Sequence, residues 1–203
     1  RRACLSSSEM AKPARKPRRI TAQYLERAAI YYLERYSSSS GNLKAVLRRK
    51  VWRAARQTER ETEVDEEQAA EWIDETVAKL KWAGLLDDEA YARMRVLSLR
   101  RSGESQRSIR MKLMAKSVES DLIERALAQD EPENDELTAA IAYARRRRLG
   151  PWRAEAEWEE RREKDMAALA RRGFSFDICR RVIEAADEAA LYESQAEWAS
   201  REP

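Results

Sequence analysis

The chain has 203 residues, 38% of them charged, with 40 Lys and Arg against 37 Asp and Glu, 5 Gly, 5 Pro, 2 Cys and no His. Glycine this scarce leaves no phosphate-cradling loop of the GxxxxGK(S/T) or GxGxxG kind, and the lack of His removes the commonest general base and zinc ligand. Cys4 and Cys179 lie far apart, so no disulfide framework, CxxC metal site or cofactor is signalled, and the cytoplasm suits the chain.

A wealth of Ala, Leu, Glu and Arg is the usage of good helix formers and points to an all-α fold. No run of about 18 apolar residues occurs, so the expectation is a soluble chain with no membrane partner. The net charge is only +3 but falls in blocks. Basic residues crowd positions 1–20, 91–126 and 145–148, while 59–75 and 184–203 are acidic. Such patterning suits a partner that is itself a polyelectrolyte or a charged protein surface.

Residues 1–20, rich in Ser, Lys, Arg and Pro, read as a flexible basic tail in which Met10 is a candidate natural start. Thr21 then caps a helix that turns Leu25, Ala29, Tyr32 or Leu33, and Tyr36 to one side and ends at "SSSSGN". Asn42 is expected to cap a second helix with Leu43, Val46, Leu47 and Val51 inward. After a polar, acidic interruption at 57–64, Asp65 and Gln68 form the capping-box pattern of a third helix. Its stripe is Trp72 or Ile73, Val77 and Leu80, and Gly84 sits where a left-handed cap is wanted.

The stretch "GLLDDEAY" at 84–91 raises the question of an acidic catalytic or metal site. Helix-end chemistry accounts for each residue. Asp87 is the N-cap, Asp88 and Glu89 meet the positive end of the dipole, and Leu86 with Tyr91 forms a hydrophobic staple. No further ligands stand at convergent spacing, so neither a metal nor an enzyme is expected.

The helix that follows runs through Ala92, Val96 and Leu99 to Gly103. Next come a basic helix with Ile109 and Leu113 inward and a short one with Leu122, Ile123, Ala126 and Leu127. "DEPEND" at 130–135 is a linker. The last third repeats the plan with Leu137, Ile141 and Ala144, then a long charged helix, then Ile178, Val182 and Ile183. "LMAKSVESDLIERAL" (113–127) matches "LARRGFSFDICRRVI" (169–183) in kind at most structural positions, and "LRRK" at 47–50 is a fainter third copy. The expected organisation is a tail (1–20), three-helix repeats at 21–86, 87–130 and 131–190, and a C-terminal extension (191–203). Such repeats form an elongated, curved tandem array whose long surface favours binding over catalysis.

At this point "LKWAGLLDDEAYARMRV" and "RRSGESQRSIRMKLMAKSV" resemble the central repeat of the RecX family of recombination regulators. "LARRGFSFDICRRVI" is similar to that family's closing Arg-Arg-Gly-Phe-Ser element, and the resemblance spans about residues 21–185. Ser117 departs from the pattern by standing where the family usually has Gly, and Val51 does so in the first repeat.

The resemblance implies a non-enzymatic, monomeric modulator of the RecA filament on single-stranded DNA, blocking strand exchange and ATP hydrolysis and limiting filament growth. Candidate contacts to RecA or DNA are Arg93, Arg100, Arg101, Arg107, Arg110, Lys112 and Lys116 in the second repeat. In the third they are Arg145, Arg146, Arg147, Arg148, Arg171 and Arg172. Arg93 and Arg100 are spaced to share a helix face, as are Lys112 and Lys116. The competing role is local ion pairing with "ESDLIE" or "EAEWEERRE". Trp and Tyr read mostly as core; Trp152, beside Pro151, is the one placed for exposure, and even there packing is the expected role. The alternative function is RecA-independent DNA binding by a helical protein.

Overall fold

The structure, a computed structural model, describes residues 20–57, 65–129 and 135–192. The tail, the acidic stretch at 58–64, most of the "DEPEND" linker and the end beyond 192 lie outside the described residues.

Among the described residues the chain is helical without strands. The helices are α1 (Ala22–Leu33), α2 (Ser40–Gln57), α3 (Glu66–Trp82), α4 (Asp88–Arg101), α5 (Gln106–Met114), α6 (Ser120–Ala128), α7 (Glu136–Arg147), α8 (Glu155–Arg171) and α9 (Phe176–Ile183). A 3-10 turn, Gly150–Trp152, stands before α8. The chain resumes helical form at 188–192.

Local chemistry sets most of these ends. The Thr21 hydroxyl accepts Tyr24 N at 3.1 Å, Asp65 accepts Glu67 N and Gln68 N, and Asp87 accepts Ala90 N at 2.9 Å. Each such cap satisfies a backbone donor that the first helical turn leaves without a partner. Gly84 closes α3 at φ +71° and Gly103 closes α4 at φ +74°, the left-handed region where a Cβ is costly.

Three apolar clusters form the interior. Leu25 and Ala29 of α1 meet Leu43, Leu47 and Val51 of α2 and Ala69, Ile73, Val77 and Leu80 of α3, with Leu86 closing the group. Ala92, Val96 and Leu99 of α4 pack with Ile109, Leu113, Val118, Ile123 and Leu127. Leu137, Ile141 and Ala144 of α7 pack with Leu169, Phe174, Cys179, Val182 and Ile183. Each buried Leu or Ile stabilises the fold by about 1.5–3 kcal/mol against ordering entropy. Leu191 is also buried in the third cluster, so the core takes in a residue that the sequence placed in the terminal extension.

Several local expectations are corrected. Ser39, not Asn42, caps α2: its hydroxyl accepts Asn42 N at 3.1 Å, and the Asn42 amide turns to Ser38 and Tyr32. Gln68 does not reach back to complete a box but donates to Glu71 at 2.8 Å. Leu86 and Tyr91 enter different cores, so the staple between them is replaced by two separate anchors. In keeping with its expected inward stripe, α2 runs unbroken through Val51, where the other repeats turn. Trp82 at 92% and Trp52 at 51% exposure depart from the core role expected of Trp, whereas Trp152 packs against the third core as expected and donates its Nε1 to Glu188.

Candidate interaction surface

The units are joined by one clasp used twice. At the first junction the Ser39 hydroxyl, at the start of α2, donates to the Lys116 carbonyl in the turn between α5 and α6. Asp88, the first residue of α4, accepts Ser40 N at 2.6 Å and the Ser40 hydroxyl at 2.6 Å, with Lys81 Nζ at 3.1 Å. The acid that looked like a site is thus a helix start and an inter-unit anchor at once. Burial alone would raise its pKa, but the Ser40 hydrogen bonds and Lys81 together lower it below the ordinary 3.8. Asp88 therefore contributes stability above pH 3.8 that is lost as the pH falls through its lower folded value. Asp88→Ala is expected to cost about 1–3 kcal/mol at pH 7, read from urea midpoints, and the deficit should shrink toward pH 3. An unchanged midpoint at pH 7 would show that Asp88 carries no clasp.

The second junction repeats the geometry. Ser105, cap of α5, accepts Ser108 N and donates to the Arg172 carbonyl at 2.7 Å, while Glu136, first residue of α7, accepts Gln106 N at 3.4 Å. The residues after the accepting carbonyls, Ser117 and Gly173, are both left-handed, at φ 53° and 94°. Ser117 thus builds the turn that its family resemblance assigns to glycine. A Cβ on Gly41 would come 2.5 Å from Ser117 Cβ, and one on Gly173 would come 3.3 Å from Arg107 Cβ. Gly41 and Arg107 hold matching positions, two residues past the clasp serine. Each junction therefore keeps one glycine at the contact, on opposite sides, and Gly41 leaves the room that Ser117 needs.

The second junction adds a buried acid. Glu104 is 3% exposed and receives Lys112 Nζ at 2.5 Å, the Ser108 hydroxyl at 2.5 Å and the Arg172 guanidinium. Arg172 also lies over the Tyr143 ring, 5.2 Å from its centroid. A second buried carboxylate, Asp165, accepts Gly150 N at 3.1 Å and both Nε and a terminal nitrogen of Arg153, which fastens the 3-10 turn. Both carboxylates are occupied by structural partners.

These contacts sort the thirteen basic positions. Arg100 is a correction: it is 3% exposed, because the C-terminal end of α4 lies against α7, so it is no surface contact. Arg110 forks onto Glu124 at 2.7 and 2.8 Å, Lys112 and Arg172 hold Glu104, Arg145 pairs with Glu188 and Arg146 donates to the Ser102 carbonyl. Arg93, Arg101, Arg107, Lys116, Arg147, Arg148 and Arg171 are exposed, with no ion pair among the described residues. Arg107 rests on Gly173, so the second junction brings it beside the end of α8, whose last residue is Arg171. Along α4, exposed Met94 and Leu97 line a shallow hollow with Arg101.

Sequence reasoning missed Glu104 and the cations of α2. For Glu104 there was no local signal, since Arg172 is 68 residues away. For α2 the signal was present, because Lys44, Arg48, Arg49, Lys50, Arg53 and Arg56 occur there without one acid. Among the described residues no group of three or more His, Cys, Asp or Glu could hold a metal ion, and no helix is long and apolar enough to cross a membrane. Cys179 is buried, which pushes its thiol pKa up and leaves it a core residue.

Three-helix units clasped through equivalent serines and acids define a tandem helical-repeat protein. Residues 87–127 match the family model "RecX, second three-helix domain" and residues 134–183 match "RecX, third three-helix domain". The chain is 43% identical over 171 residues to the regulatory protein RecX of Myxococcus xanthus, covering 84% of this chain and 89% of that one. It is 41% identical over 105 residues to the regulatory protein RecX of Agrobacterium fabrum, covering 52% and 55%. The chain belongs to the RecX family of regulatory proteins. A crystal structure of regulatory protein RecX, 20% identical, matches with a TM-score of 0.54 over 81% of this chain and 72% of the other, and so shares its fold.

Proposed function

We propose that this protein binds the RecA filament on single-stranded DNA and restrains it, slowing ATP hydrolysis, strand exchange and filament growth, and so modulates recombination and DNA repair. The observation that carries the reading is 43% identity to a regulatory protein RecX across most of both chains. The protein acts by occupancy rather than catalysis, as a cytoplasmic monomer. Tandem units offer a long surface to a helical filament, and the exposed cations of α4, α5, α7 and the end of α8 supply charge for DNA phosphates and acidic patches of the filament.

The test is a titration into RecA, ATP and single-stranded DNA, following ATP hydrolysis at saturating and at excess DNA. Inhibition below one protein per RecA that excess DNA does not relieve is expected. Inhibition that vanishes as DNA is added would mean competition for the strand, which is the behaviour of a RecA-independent DNA-binding protein.

A further inference from the structure

α2 carries six basic residues and no acidic one between Ser40 and Gln57. Its inner face is spent on the first core through Leu43, Leu47 and Val51. Of the cations, Lys44 pairs with Asp74 of α3 at 2.9 Å. Arg48, Arg49, Arg53 and Arg56 point outward and make no ion pair among the described residues. Trp52 stands among them, 51% exposed, with the Arg56 guanidinium 4.7 Å from its ring centroid.

Spacing makes this one surface. Arg48, Trp52 and Arg56 follow at four-residue intervals, and Arg49 and Arg53 form the neighbouring row, so the indole is flanked by guanidinium groups. Like charges at Lys44–Arg48 and Arg49–Arg53 oppose the helix, and an indole in water gains nothing from burial. A folded core does not need this face, whereas a polyanion with flat apolar groups would relieve both features.

We propose that the exposed face of α2 is a contact site for single-stranded nucleic acid, with Arg48, Arg49, Arg53 and Arg56 on phosphates and the Trp52 indole against a base. Guanidinium groups match phosphate oxygens in a planar fork, and an aromatic ring stacks on any base that is free of a partner. In a duplex the bases are already stacked, so Trp52 has no place there. Arg48 to Arg56 spans about 12 Å of helix, enough for a few nucleotides. An acidic peptide would satisfy the arginines but leave the indole without a stacking partner. The site goes beyond the RecA reading, since it acts without RecA and lies outside the two matched three-helix domains.

The experiment measures anisotropy of a labelled oligodeoxythymidine, and of a duplex of equal length, with the full chain and no RecA across a salt series. Trp52→Leu is expected to weaken single-strand binding about fivefold or more while leaving duplex binding unchanged, and Trp52→Tyr to restore most of the loss. Arg49→Gln with Arg53→Gln should weaken binding and flatten the log–log salt slope by about 1.4, two phosphates' worth. Circular dichroism at equal concentration checks that helix content is kept, as expected for exposed positions. Wild-type affinity in both variants overturns the site. So does equal competition by polyglutamate of matched charge, which would assign the face to an acidic protein. ATPase inhibition of RecA is scored separately, so either reading can fail while the other stands.

Discussion

Replacing Glu104 with alanine is expected to lower the thermal midpoint at pH 7 by roughly 5–10 °C, a loss of about 2–3 kcal/mol. Removing this carboxylate takes away the shared acceptor of Lys112, Arg172 and Ser108 and leaves two cations facing each other at the junction of the second and third units. Lys112 and Arg172 keep 44% and 35% exposure, so water recovers part of the loss and the figure stays at the low end for a broken buried pair. Burial by itself would raise the Glu104 pKa, but hydrogen bonds from Lys112 and Ser108 and the charges of Arg172 and Lys112 outweigh it and lower the pKa below the ordinary 4.5. A carboxylate with a depressed folded pKa stabilises fully above its unfolded value and loses that contribution as the pH falls through the folded one. Wild-type and Glu104→Ala melting curves should therefore converge below pH 4.5. Equal midpoints at pH 7 would mean that the junction does not depend on this acid.

Reversing Arg107 and Arg171 together to glutamate is expected to reduce the potency of RecA ATPase inhibition about tenfold or more, with more loss at low salt than at high. Both side chains are exposed and make no ion pair among the described residues, so the melting temperature should hardly move. Reversing Arg110 and Lys112 would be a poorer test, because each is tied to an acid and its loss would disturb the fold. Undiminished inhibition by a folded Arg107→Glu, Arg171→Glu protein would remove the second junction from the contact surface.

Much of the helical plan was legible because it rests on short-range chemistry. The stripes Leu25–Ala29, Ile73–Val77–Leu80 and Ala92–Val96–Leu99 follow the helical period and are buried as that period demands. Thr21, Asp65 and Asp87 cap as their positions imply, since each bonds a backbone N–H two or three residues on. Where two polar neighbours competed, pattern alone chose wrongly: Ser39 capped α2 and Asn42 did not, because Ser39 alone also meets the Lys116 carbonyl. Arg100 was misplaced although it lies four residues beyond Val96, on the apolar side. A charged residue on that side reads as exposed until the neighbouring helix is seen to cover it.

The amino-acid sequence by itself determined the all-helical class, the three cores, the caps at Thr21, Asp65 and Asp87 and the family resemblance, because periodicity, capping and turn chemistry act over a few residues. Only the tertiary structure decided how the units clasp and which cations remain exposed. Ser39 meets Lys116 across 77 residues and Glu104 meets Arg172 across 68, and at such separations the fold alone sets which charges meet. That packing occupies Arg172, while Glu124 and Glu104 of the second unit hold Arg110 and Lys112, and Arg93, Arg101, Arg107 and Arg171 face solvent.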